Sequence, residues 1–94
     1  DRYRETHPDA QQAFLRGSLA MMGSRRTVAD LLAARDAFEQ AIRLDPEFAL
    51  AHAGLAGAYA SAGALTLLAP VEAYPRAERA VRRALELDPD LEDA

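Results

Sequence analysis

The sequence predicts an all-α chain built from paired helices. Three observations carry this. Apolar residues recur at helical spacing, as Leu31, Ala34, Phe38, Ala41 and Ile42, and again as Ala77, Ala80, Val81, Ala84 and Leu85. No run alternates with period two, so no strand is expected. The stretch RLDPEF at 43–48 returns as ELDPDL at 86–91, an offset of 43 residues. A recurring helix–turn–helix unit accounts for that copy.

Each element has its own signals. Pro8 and Asp9 open a first helix that runs to about Met22, with apolar Phe14, Leu15, Leu19 and Met22. GSRRT interrupts the pattern. Thr27 then caps a second helix, with Asp30 three residues on. That helix stops near Leu44, because Pro46 disfavours α geometry at Asp45. A third helix restarts at once and presents Phe48, Ala51, Leu55, Ala58, Tyr59 and Ala62 on one face, with Gly63 as its stop. ALTLLAP is a long apolar connection. The fourth helix begins between Pro70 and Pro75, and Pro75 is either a first-turn residue or a kink. It closes at the second LDP, and DLEDA begins a further helix. The predicted organisation is one domain over 1–94, with a first repeat over about 8–46, a second over about 47–89 and the start of a further helix at 90–94. The chain does not begin with Met and is expected to be part of a longer one that continues past residue 94.

Laying AFEQAIRLDPEFALA (37–51) over AVRRALELDPDLEDA (80–94) places the second helix on the fourth. Here the chain resembles the tetratricopeptide repeat family. That family's second-helix pattern of small, large apolar, small and proline is matched by Ala34, Phe38, Ala41 and Pro46, and again by Ala77, Val81, Ala84 and Pro89. Its first-helix pattern is matched by Leu55, Ala56 and Tyr59, with Gly63 at the end. The resemblance implies an α-α superhelix of about two repeats and the start of a third. The usual unit is about 34 residues, so the offset of 43 implies insertions, one between Gly63 and Ala77 and one around GSRRTVADLL. The first helix departs further. Leu15 and Leu19 suit the apolar positions, but Arg16 falls where a small residue belongs, unless Gly17 takes that role in a slipped register. The early Trp position is not aromatic in either copy. Such long-looped repeats are similar to those of bacterial transcription regulators, adenylate cyclases and Ser/Thr kinases.

Composition bounds the chemistry. Ninety-four residues make one small domain with a thin core. Half the residues are hydrophobic but only 6% are aromatic, and alanine dominates the apolar set, which calls for helices in close contact. Net charge is −4, and all 11 basic residues are arginine. The acidity opposes nucleic-acid binding, and the arginine usage fits codon bias in a GC-rich, bacterial genome. The absence of cysteine excludes disulfides and thiolate metal sites. DRYRETHPDA does not read as a signal peptide, and a cytoplasmic protein is expected. Residues 48–71 carry no charge, yet their alanines and glycines suit a buried helix plus loop better than a membrane span.

No catalytic, cofactor-binding or metal-binding residues are expected. Ser18, Ser24 and Ser61 sit in no nucleophile motif, and His7 and His52 have no matched ligand partner. ELDPDLEDA lacks calcium-loop spacing, and GSRRT is not a phosphate loop. Arg25–Arg26 and Arg82–Arg83 are expected to solvate a surface or pair with carboxylates. The resemblance implies partner binding on a concave face lined by Ala13, Gly17 and Ala20, then Leu50, Ala53, Gly57 and Ala60. A clamp for a peptide's terminal carboxylate would need Lys and Asn, and the chain has neither. Leu65, Leu67 and Leu68 are expected to fold back over the helix ends, the alternative being contact with a partner or sister chain. The expected packing anchors are Phe38, Leu55, Tyr59, Val81 and Leu85. The reading is a protein–protein interaction or scaffolding module that takes another protein or peptide segment. The alternatives are a self-association element that forms a homo-oligomer through an open repeat edge, or a small helical enzyme or metal-binding protein.

Overall fold

A computed structural model describes residues 6–23 and 27–93. Among them are α1 (Pro8–Met21), α2 (Val28–Leu44), α3 (Ala49–Ala64), α4 (Pro70–Leu87) and a 3-10 turn over Pro89–Asp93, with no strand. The fold is all-α, made of two consecutive hairpins. α1 packs on α2, α3 on α4, and α2 joins the hairpins through α3.

Local chemistry sets the helix starts. His7 caps α1: its Nδ1 accepts the Asp9 N–H at 3.1 Å. α2 opens on a complete capping box. Thr27 Oγ1 accepts the Asp30 N–H at 3.1 Å, and Asp30 Oδ2 accepts the Thr27 N–H at 3.3 Å. Pro70 is the first residue of α4, where its missing N–H costs nothing. Pro75 lies deeper, inside the helix, and is neither its start nor a first-turn residue.

The LDP motif closes both hairpins in the same way. Asp45 donates its N–H to Ala41 O at 2.8 Å, and Asp88 donates to Ala84 O at 2.9 Å. Phe48 N–H reaches Asp45 O at 3.0 Å, and Leu91 N–H reaches Asp88 O at 3.2 Å. Each carboxylate also folds onto the turn after it: Asp45 Oδ1 accepts from Glu47 N–H at 3.3 Å and Asp88 Oδ1 from Asp90 N–H at 3.1 Å. The proline cannot continue the helix and the aspartate satisfies the turn that replaces it.

The two copies differ in burial. Asp45 is only 4% exposed, and its Oδ2 also accepts the His7 N–H at 3.3 Å, tying the start of α1 to the turn between α2 and α3. Asp45→Ala therefore leaves partly buried donors unmatched and should cost about 1–3 kcal/mol. Asp88→Ala, at a more open turn, should cost clearly less. Urea denaturation of the two variants checks this, and equal losses would show that the His7 link contributes nothing.

The core is small and alanine-rich. Ala10, Ala13, Ala41, Phe48 and Ala51 form one buried cluster, and Ala34, Phe38 and Ala58 another, with Phe14 packed against both. Phe14 lies 5.7 Å from Phe38 and 5.2 Å from Phe48, both tilted. Phe38 sits between two glycines from different helices. A Cβ at Gly17 would come within 2.7 Å of its ring and one at Gly54 within 2.5 Å. α1, α2 and α3 meet where bare backbone admits a phenyl ring. α4 is secured by a narrower stripe of Ala73, Ala77, Ala80 and Ala84.

Several expectations are corrected here. Leu15 (58% exposed), Leu19 (61%) and Met22 (76%) point outward, because the inward face of α1 is Ala10, Ala13 and Gly17. Gly17 is the buried residue here, and Arg16 beside it is exposed, 3.4 Å from Gln40. Val81 is not a buried anchor; it is 46% exposed. Phe38, its counterpart 43 residues earlier, is covered by a helix on each side, whereas the element after α4 is a single 3-10 turn. Leu55, Tyr59 and Leu85 are half-buried. Gly63 does not stop α3, which runs on to Ala64, and no described glycine has positive φ. Gly63 instead allows close approach of α4: a Cβ there would lie 3.0 Å from Ala73 Cβ and 3.1 Å from the Tyr74 ring. The left-handed residue after the helix is Thr66, at φ 55.

Candidate interaction surfaces

α3 is the central helix, and its lack of charged residues follows from that place: α1, α2 and α4 all pack against it. Two strips of α3, about half a helical turn apart, stay accessible.

The first strip is Leu50, Ala53, Gly57 and Ala60. Leu50 is 48% exposed, and a Cβ on Gly57 would meet nothing within 4 Å. These four share one accessible face of α3. The other three concave-face candidates do not join it. Ala13 is fully buried and Gly17 lies against the Phe38 ring, so neither can touch a partner, and Ala20 packs against the Phe38 cluster. α1 turns its small residues inward because α2 needs them to receive Phe38.

The second strip is His52, Leu55 and Tyr59. It forms the floor of a groove of about 670 Å³ between α2 and α4. Ile42 of α2 extends the apolar floor. Arg43 of α2 and Arg76, Arg79 and Arg83 of α4 stand around it, with Glu39 as the single acidic lining residue. Arg76 lies over the Tyr59 ring, 5.8 Å from its centroid. Arg83 reaches Glu86 at 3.2 Å. Arg43 and Arg79 make no ion pair or hydrogen bond among the described residues. His52 Nε2 donates to Pro46 O at 2.9 Å and holds the turn at one end of the groove, a packing role.

Sequence reasoning missed this groove, since Arg43 is far from the others along the chain. One signal was available: Arg76, Arg79 and Arg83 lie at i, i+3 and i+7, which makes a stripe on one helix. Of the arginine pairs singled out, Arg82 meets Glu78 at 2.7 Å and Arg83 meets Glu86, as surface pairs do. Arg25 and Arg26 lie outside the described residues.

The apolar connection folds back in part. Leu67 and Leu68 meet Val28, Leu31 and Leu32 around a cavity of about 100 Å³, and both Leu67 and Leu68 amides donate to Ala62 O. Leu65 and Leu67 still expose 48% and 43% of their surface. The connection before α4 and the first turns of α2 thus meet at one end of the fold. Among the described residues, no group of three or more His, Asp or Glu residues is placed to hold a metal, and no helix is long and apolar enough to cross a membrane.

No family model, curated protein or solved structure matches the chain.

Proposed function

We propose that the chain is a protein–protein interaction module of the tetratricopeptide type, part of a cytoplasmic bacterial regulatory or signalling protein. It works by rigid display of a surface, without chemistry of its own. The observation that carries this reading is the duplicated hairpin closure. The same three hydrogen bonds recur at Asp45 and Asp88, with backbone angles of −146/88 and −145/92 degrees. A unit closed identically twice suits a stacked array, and stacked arrays offer extended faces to partners. The open strip of Leu50, Ala53, Gly57 and Ala60 suits a closely packed helix or apolar segment, because small side chains let a backbone approach.

Affinity capture with the chain as bait, read by mass spectrometry beside the Gly57→Arg variant, tests this reading. A protein retained by the wild-type chain and lost with Gly57→Arg is the expected result. Light scattering on the chain alone distinguishes the self-association alternative. A strict monomer that retains no protein would remove both readings.

A further inference from the structure

We infer that the groove between α2 and α4 is a docking site for a short acidic peptide segment of a partner protein, one that carries an apolar side chain between carboxylates. The inference rests on the reading of the chain as an interaction module and assigns it a second surface, on the side of α3 away from Gly57.

Charge is the first argument. The chain as a whole is acidic, at −4. The groove runs the other way, with four arginines against one glutamate. Two of those arginines, Arg43 and Arg79, have no acidic partner among the described residues, although Glu78 and Glu86 of the same helix α4 are engaged by Arg82 and Arg83. Guanidinium groups left without a counter-charge around a concave surface attract carboxylates and accept them in a two-pronged geometry.

Shape is the second argument. Ile42, Leu55 and Tyr59 are half-buried and make an apolar floor, and the arginines make a charged rim. An apolar centre inside a polar rim is the usual anatomy of a protein-binding patch. From Arg76 to Arg83 is seven residues of helix, about 10 Å along the axis. That length matches roughly three residues of extended chain or two turns of helix, so one apolar anchor with acidic residues on both sides fills it. Arg76 is already held over Tyr59, which lowers the ordering cost of binding at that end. Nucleic acid is the less favoured occupant: the groove offers one aromatic floor residue rather than a series of stacking platforms, and the remaining surface is acidic.

Fluorescence anisotropy with a labelled peptide of glutamate, aspartate and leucine tests the proposal. The controls are its glutamine and asparagine counterpart and a labelled single-stranded oligonucleotide. The acidic peptide should bind, and its affinity should fall several-fold between about 50 and about 300 mM salt. Arg79→Glu should weaken binding about tenfold or more, Arg43→Glu likewise, and Arg79→Lys much less. Both side chains are exposed, so melting temperature should stay near wild type, and Arg79→Gln gives an intermediate loss if only charge is removed. Equal binding of the amide peptide, tighter binding of the oligonucleotide, or indifference to Arg79→Glu would each overturn it. The two readings fail separately. A captured protein that ignores Arg43→Glu and Arg79→Glu but is lost with Gly57→Arg removes the groove and keeps the interaction module. Absence of any captured protein together with silent peptides removes both.

Discussion

Phe38→Ala should lower the unfolding free energy by about 3–5 kcal/mol, which approaches the whole margin of a domain this small. The ring is 2% exposed and is the largest side chain buried so completely. It packs on α1 and α3 at once, since Gly17 of α1 and Gly54 of α3 both lie against its ring. Truncating it removes a central contact between the first hairpin and the second. The neighbouring glycines give the same test from the other direction. A methyl group at Gly54 would sit 2.5 Å from the ring, and the ring is buried, with Gly17 also against it, so it has little room to shift. Gly54→Ala gains up to about 1 kcal/mol in helix propensity, but overpacking costs roughly 1–3 kcal/mol, so a net loss is expected. Combining Gly54→Ala with Phe38→Leu should cost less than the sum of the single changes, because the smaller side chain leaves room for the methyl. Val81→Ala, the same kind of truncation 43 residues later, should cost under about 1 kcal/mol, since Val81 is 46% exposed. Urea denaturation followed by far-UV circular dichroism measures all of these, with Phe38→Leu alone as the remaining single change. Similar losses for Phe38→Ala and Val81→Ala would contradict burial by two flanking helices.

That contrast also shows what the sequence can and cannot disclose. The capping box at Thr27 and Asp30 and the stops at both LDP motifs were legible because their partners lie within a few residues. The all-α class followed from period alone. Burial was less legible, because it depends on what a residue faces. Phe38 and Val81 occupy the same place in the repeated pattern, yet only Phe38 has a helix on either side. Leu15 and Leu19 looked like core residues by type, while the true inward face of α1 is smaller, at Ala10, Ala13 and Gly17. In an alanine-rich chain the largest apolar residue does not identify the buried face, since close approach selects the smallest one. Gly63 was assigned to the right place for the wrong reason: its missing Cβ serves the α3–α4 contact, and the chain turns at Thr66 instead. The arginine groove was least legible. It depends on Arg43 meeting a stripe that begins 33 residues later, and only the packing of α2 and α4 about α3 brings them together.

Ala41→Arg should abolish the fold. Ala41 is fully buried beside Ala10, Ala13, Phe48 and Ala51, where α1, α2 and the start of α3 meet. Two separate costs follow from the change. The added volume has nowhere to go, and Ala41→Leu, which adds bulk without charge, isolates that term at roughly 1–3 kcal/mol. A guanidinium buried without a partner adds several kcal/mol more. Asp45, one turn on, is a buried carboxylate, but it already accepts the His7 and Glu47 amides, and turning to an arginine would release both. The sum exceeds the stability available to a small domain. Ala84→Arg, at the copied position, should be milder. Ala84 is 2% exposed, but it precedes the open turn at Asp88, where a long side chain can reach water. The expected order of helicity in far-UV circular dichroism is therefore wild type, Ala41→Leu, Ala84→Arg and Ala41→Arg. An Ala41→Arg chain that melts within a few degrees of wild type would mean that the three helices do not approach at Ala41 as closely as the buried alanines require.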